Sequence, residues 1–154
     1  MIRLSNLMFL LAAAISLNTA PTQARASAET IEFIPAKGAA PFSAAVRVGD
    51  VLYLSGQIGN GPDGKLAEGW EAQSVQTLDN IAAVLKSQGL GMDDVFKCTV
   101  MLSDMSKWSD FNKIYVRYFK PGRLPARSAM GVNGLAANAF VELECWAYAN
   151  RAKP

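Results

Sequence analysis

Histidine is absent from all 154 residues. Without an imidazole, Ser-His-Asp and Cys-His nucleophile pairs, a two-histidine acid/base pair and the usual zinc sites are excluded, because each is built on one. Chemistry falls to Arg, carboxylates, hydroxyls, Lys, the backbone or groups of the substrate itself. Charge is also sparse, at 18% of the chain, whereas apolar residues reach 51%. That balance describes a globular protein able to bury a core and excludes a disordered tail or a coiled coil. The length suits one domain.

The longest uncharged apolar run, Leu7 to Leu17, follows Arg3 and holds 11 residues. A spanning helix needs about 20. With Thr19, Ala20 and Ala24-Arg25-Ala26-Ser27-Ala28 behind it, the run reads as a secretory signal peptide over residues 1–26, cut after Ala26 or Ala28. Residues 27–154 then form a single mature domain, secreted or periplasmic, with no membrane attachment after cleavage; no cysteine stands at the cut to take a lipid. Loss of Arg3 and Arg25 leaves 13 Lys+Arg against 13 Asp+Glu. A formally neutral protein offers no field to recruit nucleic acid or an anionic membrane.

Only two cysteines remain, Cys98 and Cys145. Export puts them where disulfides persist. Both sit inside apolar strand-like runs, where cysteine acts as a small buried hydrophobe, and a domain of this size has no need of a staple. The balance of this reading favours free thiols over a bridge.

Along the mature chain, Ile31 to Ile34 suits an edge strand, and Ala44 to Ile58 a hairpin turning at Gly49-Asp50. Val75, Leu78, Ile81, Ala82 and Leu85 recur at helical spacing, predicting a helix over 72–88 stopped by Gly89. Val95 to Leu102 is nearly continuous in apolar residues, as for a strand buried on both faces beside a crossover helix. Trp108, Phe111, Ile114/Tyr115 and Tyr118 mark the inner stripe of a second helix, capped by Asp104 or Ser106 and ended by Pro121-Gly122. Ala126 to Val132 and Phe140 to Ala149 close the chain as two strands.

Strand parity adds a prediction about assembly. In the last strand Val141, Leu143, Cys145 and Ala147 face the helices, leaving Phe140, Glu142, Glu144, Trp146 and Tyr148 on the other side. With Tyr53 they form a face too aromatic to stay wet, so copies of the chain are expected to cover it. Assigning Ser128, Met130 and Val132 to the aliphatic side leaves Arg127, Ala129 and Gly131 on this same associating face.

Six strings then occur in a familiar order: Phe42-Ser43-Ala44-Ala45-Val46, Ser55-Gly56-Gln57-Ile58, Leu78-Asp79-Asn80, Phe111-Asn112-Lys113-Ile114-Tyr115, Pro125-Ala126-Arg127-Ser128 and Val141-Glu142-Leu143-Glu144. In them the chain resembles the RidA (YjgF) family from about residue 31 to 149. The resemblance implies an α+β, chorismate-mutase-like fold with a mixed six-stranded sheet and two helices on one face, assembled as a homotrimer with clefts between subunits. It implies hydrolysis of reactive enamines and imines to 2-keto acids and ammonia, without a cofactor or a metal. Arg127 matches the arginine that grips the substrate carboxylate and Glu142 the acid that holds the attacking water. Asn112, Gly56 and Ser55 match cleft-lining positions. Phe42 stands where many deaminating members carry tyrosine, and Ala129 where several carry cysteine.

The residue types suit those roles on their own chemistry. A planar guanidinium meets a carboxylate through two parallel hydrogen bonds, fixing a small 2-imino acid better than the point charge of lysine. An iminium carbon is already electrophilic, so the protein needs to place a water and accept a proton. Burial raises the pKa such a glutamate needs, and a nearby arginine opposes the rise. Two further readings compete: a non-catalytic trimer that binds a carboxylate ligand or holds unfolding proteins, and a ribonuclease, which the absent histidines and neutral charge disfavour. The bland reading of Arg127 is an interface ion pair with Glu142 or Glu144; that of the Trp108, Phe111, Tyr115 and Tyr118 stripe is core.

Overall fold

Gly49 takes φ 55°, a left-handed conformation that glycine adopts without steric cost, and the chain reverses there. The hairpin it makes joins β2 (Ser43–Val48) to β3 (Val51–Leu54), and β1 (Ile31–Pro35) pairs along the outer side of β2 as the expected edge strand. The computed structural model describes residues 30–149. The leader read in residues 1–26 lies outside the described residues.

The long second arm of the expected hairpin is broken. At Ser55-Gly56 the chain leaves the β2 ladder and resumes as a two-residue strand, β4 (Gln57–Ile58), paired with the last strand. Helix α1 (Trp70–Ser87) starts two residues before Ala72 and buries Leu78, Ile81 and Leu85 completely. Each such side chain contributes about 1.5–3 kcal/mol by leaving water. Strand β5 (Val95–Leu102) has the bounds its apolar run predicts. Asp104 caps the next turn by accepting a hydrogen bond from the Ser106 amide at 2.8 Å. Helix α2 (Trp108–Tyr115) ends earlier than its stripe suggested, passing into a 3₁₀ turn at Val116–Tyr118 before Pro121-Gly122. Strands β6 (Ala126–Gly131) and β7 (Val141–Tyr148) follow.

The sheet runs β1-β2-β3-β7-β5-β6, with β4 continuing the line of β3 beside β7. It therefore has seven strands where six were expected; the extra one is the detached end of the hairpin. β6 lies parallel to β5 across α2, and the other pairings are antiparallel, so the sheet is mixed and the α+β class holds. Both helices cover one face. Tyr118 joins them, its hydroxyl donating to Asp79 Oδ1 of α1 at 2.8 Å.

The opposite face carries Tyr53, Phe96, Glu142, Glu144, Trp146 and Tyr148. Tyr53 and Phe96 meet the Trp146 ring edge-on, with centroids 5.0 and 6.4 Å away. Phe96 is 42% and Tyr148 51% exposed in the protomer, so β5 is buried on one face and not on both. A bulge between Val95 and Lys97 turns Phe96 outward.

The cysteine expectation is overturned. Cys98 and Cys145 face each other directly across β5 and β7, with Cα atoms 4.1 Å apart, and form a disulfide in the core. Adjacent antiparallel strands in that register bring two Cβ atoms on one face into bonding range, and sequence spacing does not disclose the register.

Candidate active site

The register of β6 decides where Arg127 points. Arg127 pairs with Cys98, Ala129 with Val100 and Gly131 with Leu102, and those β5 partners face the helices. Arg127, Ala129 and Gly131 therefore lie on the helix side, opposite to the face expected for them. Ser128 and Met130 take the open face, where Lys97 Nζ donates to Ser128 Oγ at 2.8 Å. The Arg-Ser-Ala-Met-Gly stretch has no hydrophobic alternation to reveal this. At the sheet edge, the ground above β6 is the aromatic end of α2, which accommodates a guanidinium as aliphatic core does not.

That guanidinium lies over two rings. Arg127 Cζ is 4.4 Å from the Trp108 ring centroid and 4.6 Å from that of Tyr115. Residues at i and i+7 share a helix face, and Asn112 at i+4 shares it with them. The three thus form one stripe toward β6. The Asn112 Oδ1 and Tyr115 hydroxyl atoms are buried there without a hydrogen-bond partner among the described residues. Burial pushes the Tyr115 phenol up to about 12 against the opposing charge of Arg127, so it stays neutral. Arg127 itself has no ion pair among the described residues, whose bridges are Arg47–Glu32, Lys113–Asp110 and Lys120–Asp93.

Glu142 sits across the sheet. Its register partners are Ile58 on β4 and Met101 on β5, on the open face. Burial, and secondarily the charge of Glu144, raises the Glu142 carboxyl above its ordinary value, and no arginine opposes the shift within the protomer. Glu144 accepts from the Trp146 indole at 3.0 Å. Gly56 lies against Glu142: a Cβ there would fall 3.0 Å from Glu142 Cδ and closer still to Oε1. Ser55 holds the break between β3 and β4, donating from Oγ to the Ser43 carbonyl at 2.6 Å and from its amide to the Ala44 carbonyl at 3.0 Å. Phe42 is 57% exposed on a groove of about 970 Å³ between α1 and the chain before β2. None of the other candidate site residues lines that groove.

Gly56 makes the first prediction. Gly56→Ala should displace the Glu142 carboxylate, and a reaction in which that carboxylate takes part should slow about 10²-fold, because small misplacements of a reacting group carry penalties of that order. An unchanged rate in a variant with normal melting would show that the carboxylate is not fixed by this contact.

The candidate residues thus fall into two half-sites: Arg127, Asn112 and Ala129 on the α2 side, and Glu142, Gly56 and Ser55 on the other. The sheet stands between them. Trp108 and Tyr115 belong to the core stripe as expected, Tyr115 buried and Trp108 packed against it; what sequence reasoning missed is that their rings also meet Arg127, the signal being an aromatic pair at i and i+7 around Asn112, one crossover before the arginine strand. Among the described residues no group of three or more His, Cys, Asp or Glu side chains is placed to hold a metal.

Comparison with known proteins agrees with this architecture. The model of the family described as Endoribonuclease L-PSP matches residues 34–149. A RutC family protein of Aquifex aeolicus is 42% identical over 106 residues, spanning 68% of this chain and 85% of its own. A mouse protein named 2-iminobutanoate/2-iminopropanoate deaminase is 41% identical over 106 residues, 68% of this chain and 78% of that one. A crystal structure from Yersinia pestis, described as a Rid family protein of unknown function, superposes with a TM-score of 0.73 at 38% identity, covering 77% of this chain and 99% of its own.

Proposed function

Since the chain belongs to the endoribonuclease L-PSP (RidA/YjgF) family, we propose that it hydrolyses reactive 2-imino acids and their enamine tautomers to 2-keto acids and ammonia. The observation that carries this reading is an arginine clamped by aromatic rings with no anionic partner among the described residues, on the reverse of the sheet from a glutamate whose pKa is raised. One copy cannot bring these groups together. A second copy, seated with its aromatic sheet face against the β6 edge of the first, would join the Arg127 half of one cleft to the Glu142 half of the other, and a ring of three would close such contacts. The exposed Tyr53 and Phe96 rings, packed around a half-buried Trp146, support that association.

In such a cleft Arg127 holds the substrate carboxylate in two parallel hydrogen bonds, setting the imine carbon within reach of a water on Glu142. Glu142 accepts a proton as the water oxygen bonds to carbon. The carbinolamine so formed receives that proton on nitrogen; as its C–N bond breaks and ammonia leaves, Glu142 takes the remaining hydroxyl proton, the carbonyl forms, and the carboxyl then releases that proton to solvent. Ser55 and Gly56 shape the wall beside Glu142, the Ala129 backbone borders the carboxylate, and no cofactor takes part. The leader in residues 1–26 puts the reaction in a secreted or periplasmic setting, which the Cys98–Cys145 disulfide supports.

The test supplies mature protein to imines generated by an amino acid oxidase and follows keto-acid formation. Acceleration is expected, together with a fall in rate as pH drops through a value above the ordinary glutamate pKa, because protonated Glu142 cannot act as base. Glu142→Gln should remove both. No acceleration with any imine overturns the proposal. Phe42, which lacks the hydroxyl of many deaminating relatives, favours one second reading: a trimer that binds 2-keto acids without turnover. Thermal stabilisation by a keto acid that survives Glu142→Gln, with no hydrolysis, would establish it.

A further inference from the structure

We infer that Trp108 and Tyr115 are positioning residues for Arg127, an aromatic clamp through which α2 sets the grip of the site on a carboxylate. The inference rests on the reading of Arg127 as the carboxylate-binding group.

An arginine on an edge strand is ordinarily free to sample many rotamers, and ordering it on ligand binding costs affinity. Here the guanidinium lies over two ring faces at 4.4 and 4.6 Å, both inside the distance at which a cation is drawn to an aromatic face. Contact with two rings restricts where the guanidinium can sit, while its N–H groups have no acceptor among the described residues. Those donors match the two oxygens of a carboxylate.

The clamp is anchored in the core. Trp108 stacks on Phe111 with an interplanar angle of 17°, Phe111 packs on Tyr115 with centroids 5.7 Å apart, and Phe111 is fully buried. Tyr115 continues the row onto Phe119 at 4.7 Å. Two further aromatic side chains, Phe111 and Phe119, therefore hold the two rings that hold the arginine. Because the Tyr115 phenol remains neutral, it offers the guanidinium a ring and not a competing charge.

The experiment compares Trp108→Phe, which keeps a ring, with Trp108→Leu, which fills space without one. Calorimetry with 2-ketobutyrate reads binding, and the oxidase-coupled assay reads KM and kcat separately. Trp108→Leu is expected to weaken 2-ketobutyrate binding about tenfold and to raise KM by a similar factor, with kcat within about threefold of the parent. Trp108→Phe, which keeps a ring under the guanidinium, should return both constants to within about twofold of the parent. Unaltered binding in Trp108→Leu, or a fall in kcat that Trp108→Phe does not rescue, overturns the clamp. Should Trp108→Leu fail to fold, Trp108→Met gives the same comparison. Weakened binding in a protein that turns over no imine would uphold the clamp while removing the deaminase reading. Failure of the parent protein to bind 2-ketobutyrate would remove the clamp's purpose.

Discussion

Arg127→Ala is expected to lower kcat/KM for imine hydrolysis about 10³-fold while the protein stays folded. Removing one partner of a desolvated, hydrogen-bonded charge pair costs roughly 2–5 kcal/mol, and each 1.36 kcal/mol is a factor of ten in rate. The upper half of that range applies because Arg127 is the cation that the Trp108 and Tyr115 rings hold. Structural loss is smaller. The alanine variant forfeits two cation–π contacts, together about 1–2 kcal/mol at a half-buried site, so melting falls by several degrees and not by tens. Arg127→Lys should recover only part of the rate: its ammonium neither stacks flat between Trp108 and Tyr115 nor presents paired donors. Steady-state kinetics beside thermal melting decides the matter. A kcat/KM within tenfold of the parent for Arg127→Ala would mean that the carboxylate is held elsewhere.

What the sequence disclosed, and what it hid, follows from the range of the interactions involved. The bounds of β5 and the parity of β7 were legible because apolar residues recur at a fixed period within each segment: Val141, Leu143, Cys145 and Ala147 are all buried, as alternation requires. Helix α1 was legible for the same reason. The direction of Arg127 was not, since β6 is a row of small and polar residues and its face is set by pairing with Cys98 of a distant segment. The break at Ser55-Gly56 escaped because its cause is the approach of Glu142 from β7. Nor does a sequence disclose that Arg47 lies on the core side of β2, donating to the Ala149 carbonyl at 3.2 Å and pairing with Glu32. The site residues themselves came from matched strings; that Arg127 and Glu142 occupy opposite faces of the sheet is read from the register.

The same register places Cys145, Cys98 and Arg127 side by side on β7, β5 and β6, and this row yields the largest stability prediction. The disulfide closes a loop with a sequence separation of 47. In the chain-entropy account a crosslink of that span removes about 4 kcal/mol of unfolded-state freedom. Replacing both cysteines by alanine should therefore lower the unfolding free energy by roughly that amount and the melting temperature by about 15 °C. Both residues are fully buried, so a reductant added to the native protein should act only as fast as the chain opens. Urea with reductant should then produce the loss that reductant alone does not. Intact mass after alkylation without reductant should show no modified thiol. Two alkylated cysteines in protein purified from an oxidising compartment, or a double-alanine variant within about 1 kcal/mol of the parent, would restore the free-thiol reading. If the staple is confirmed, comparing the double-alanine variant's affinity for 2-ketobutyrate with that of the parent asks whether the bond serves the fold alone. Since the aromatic clamp is anchored through α2 and not through β5, affinity should fall less than threefold even as stability drops.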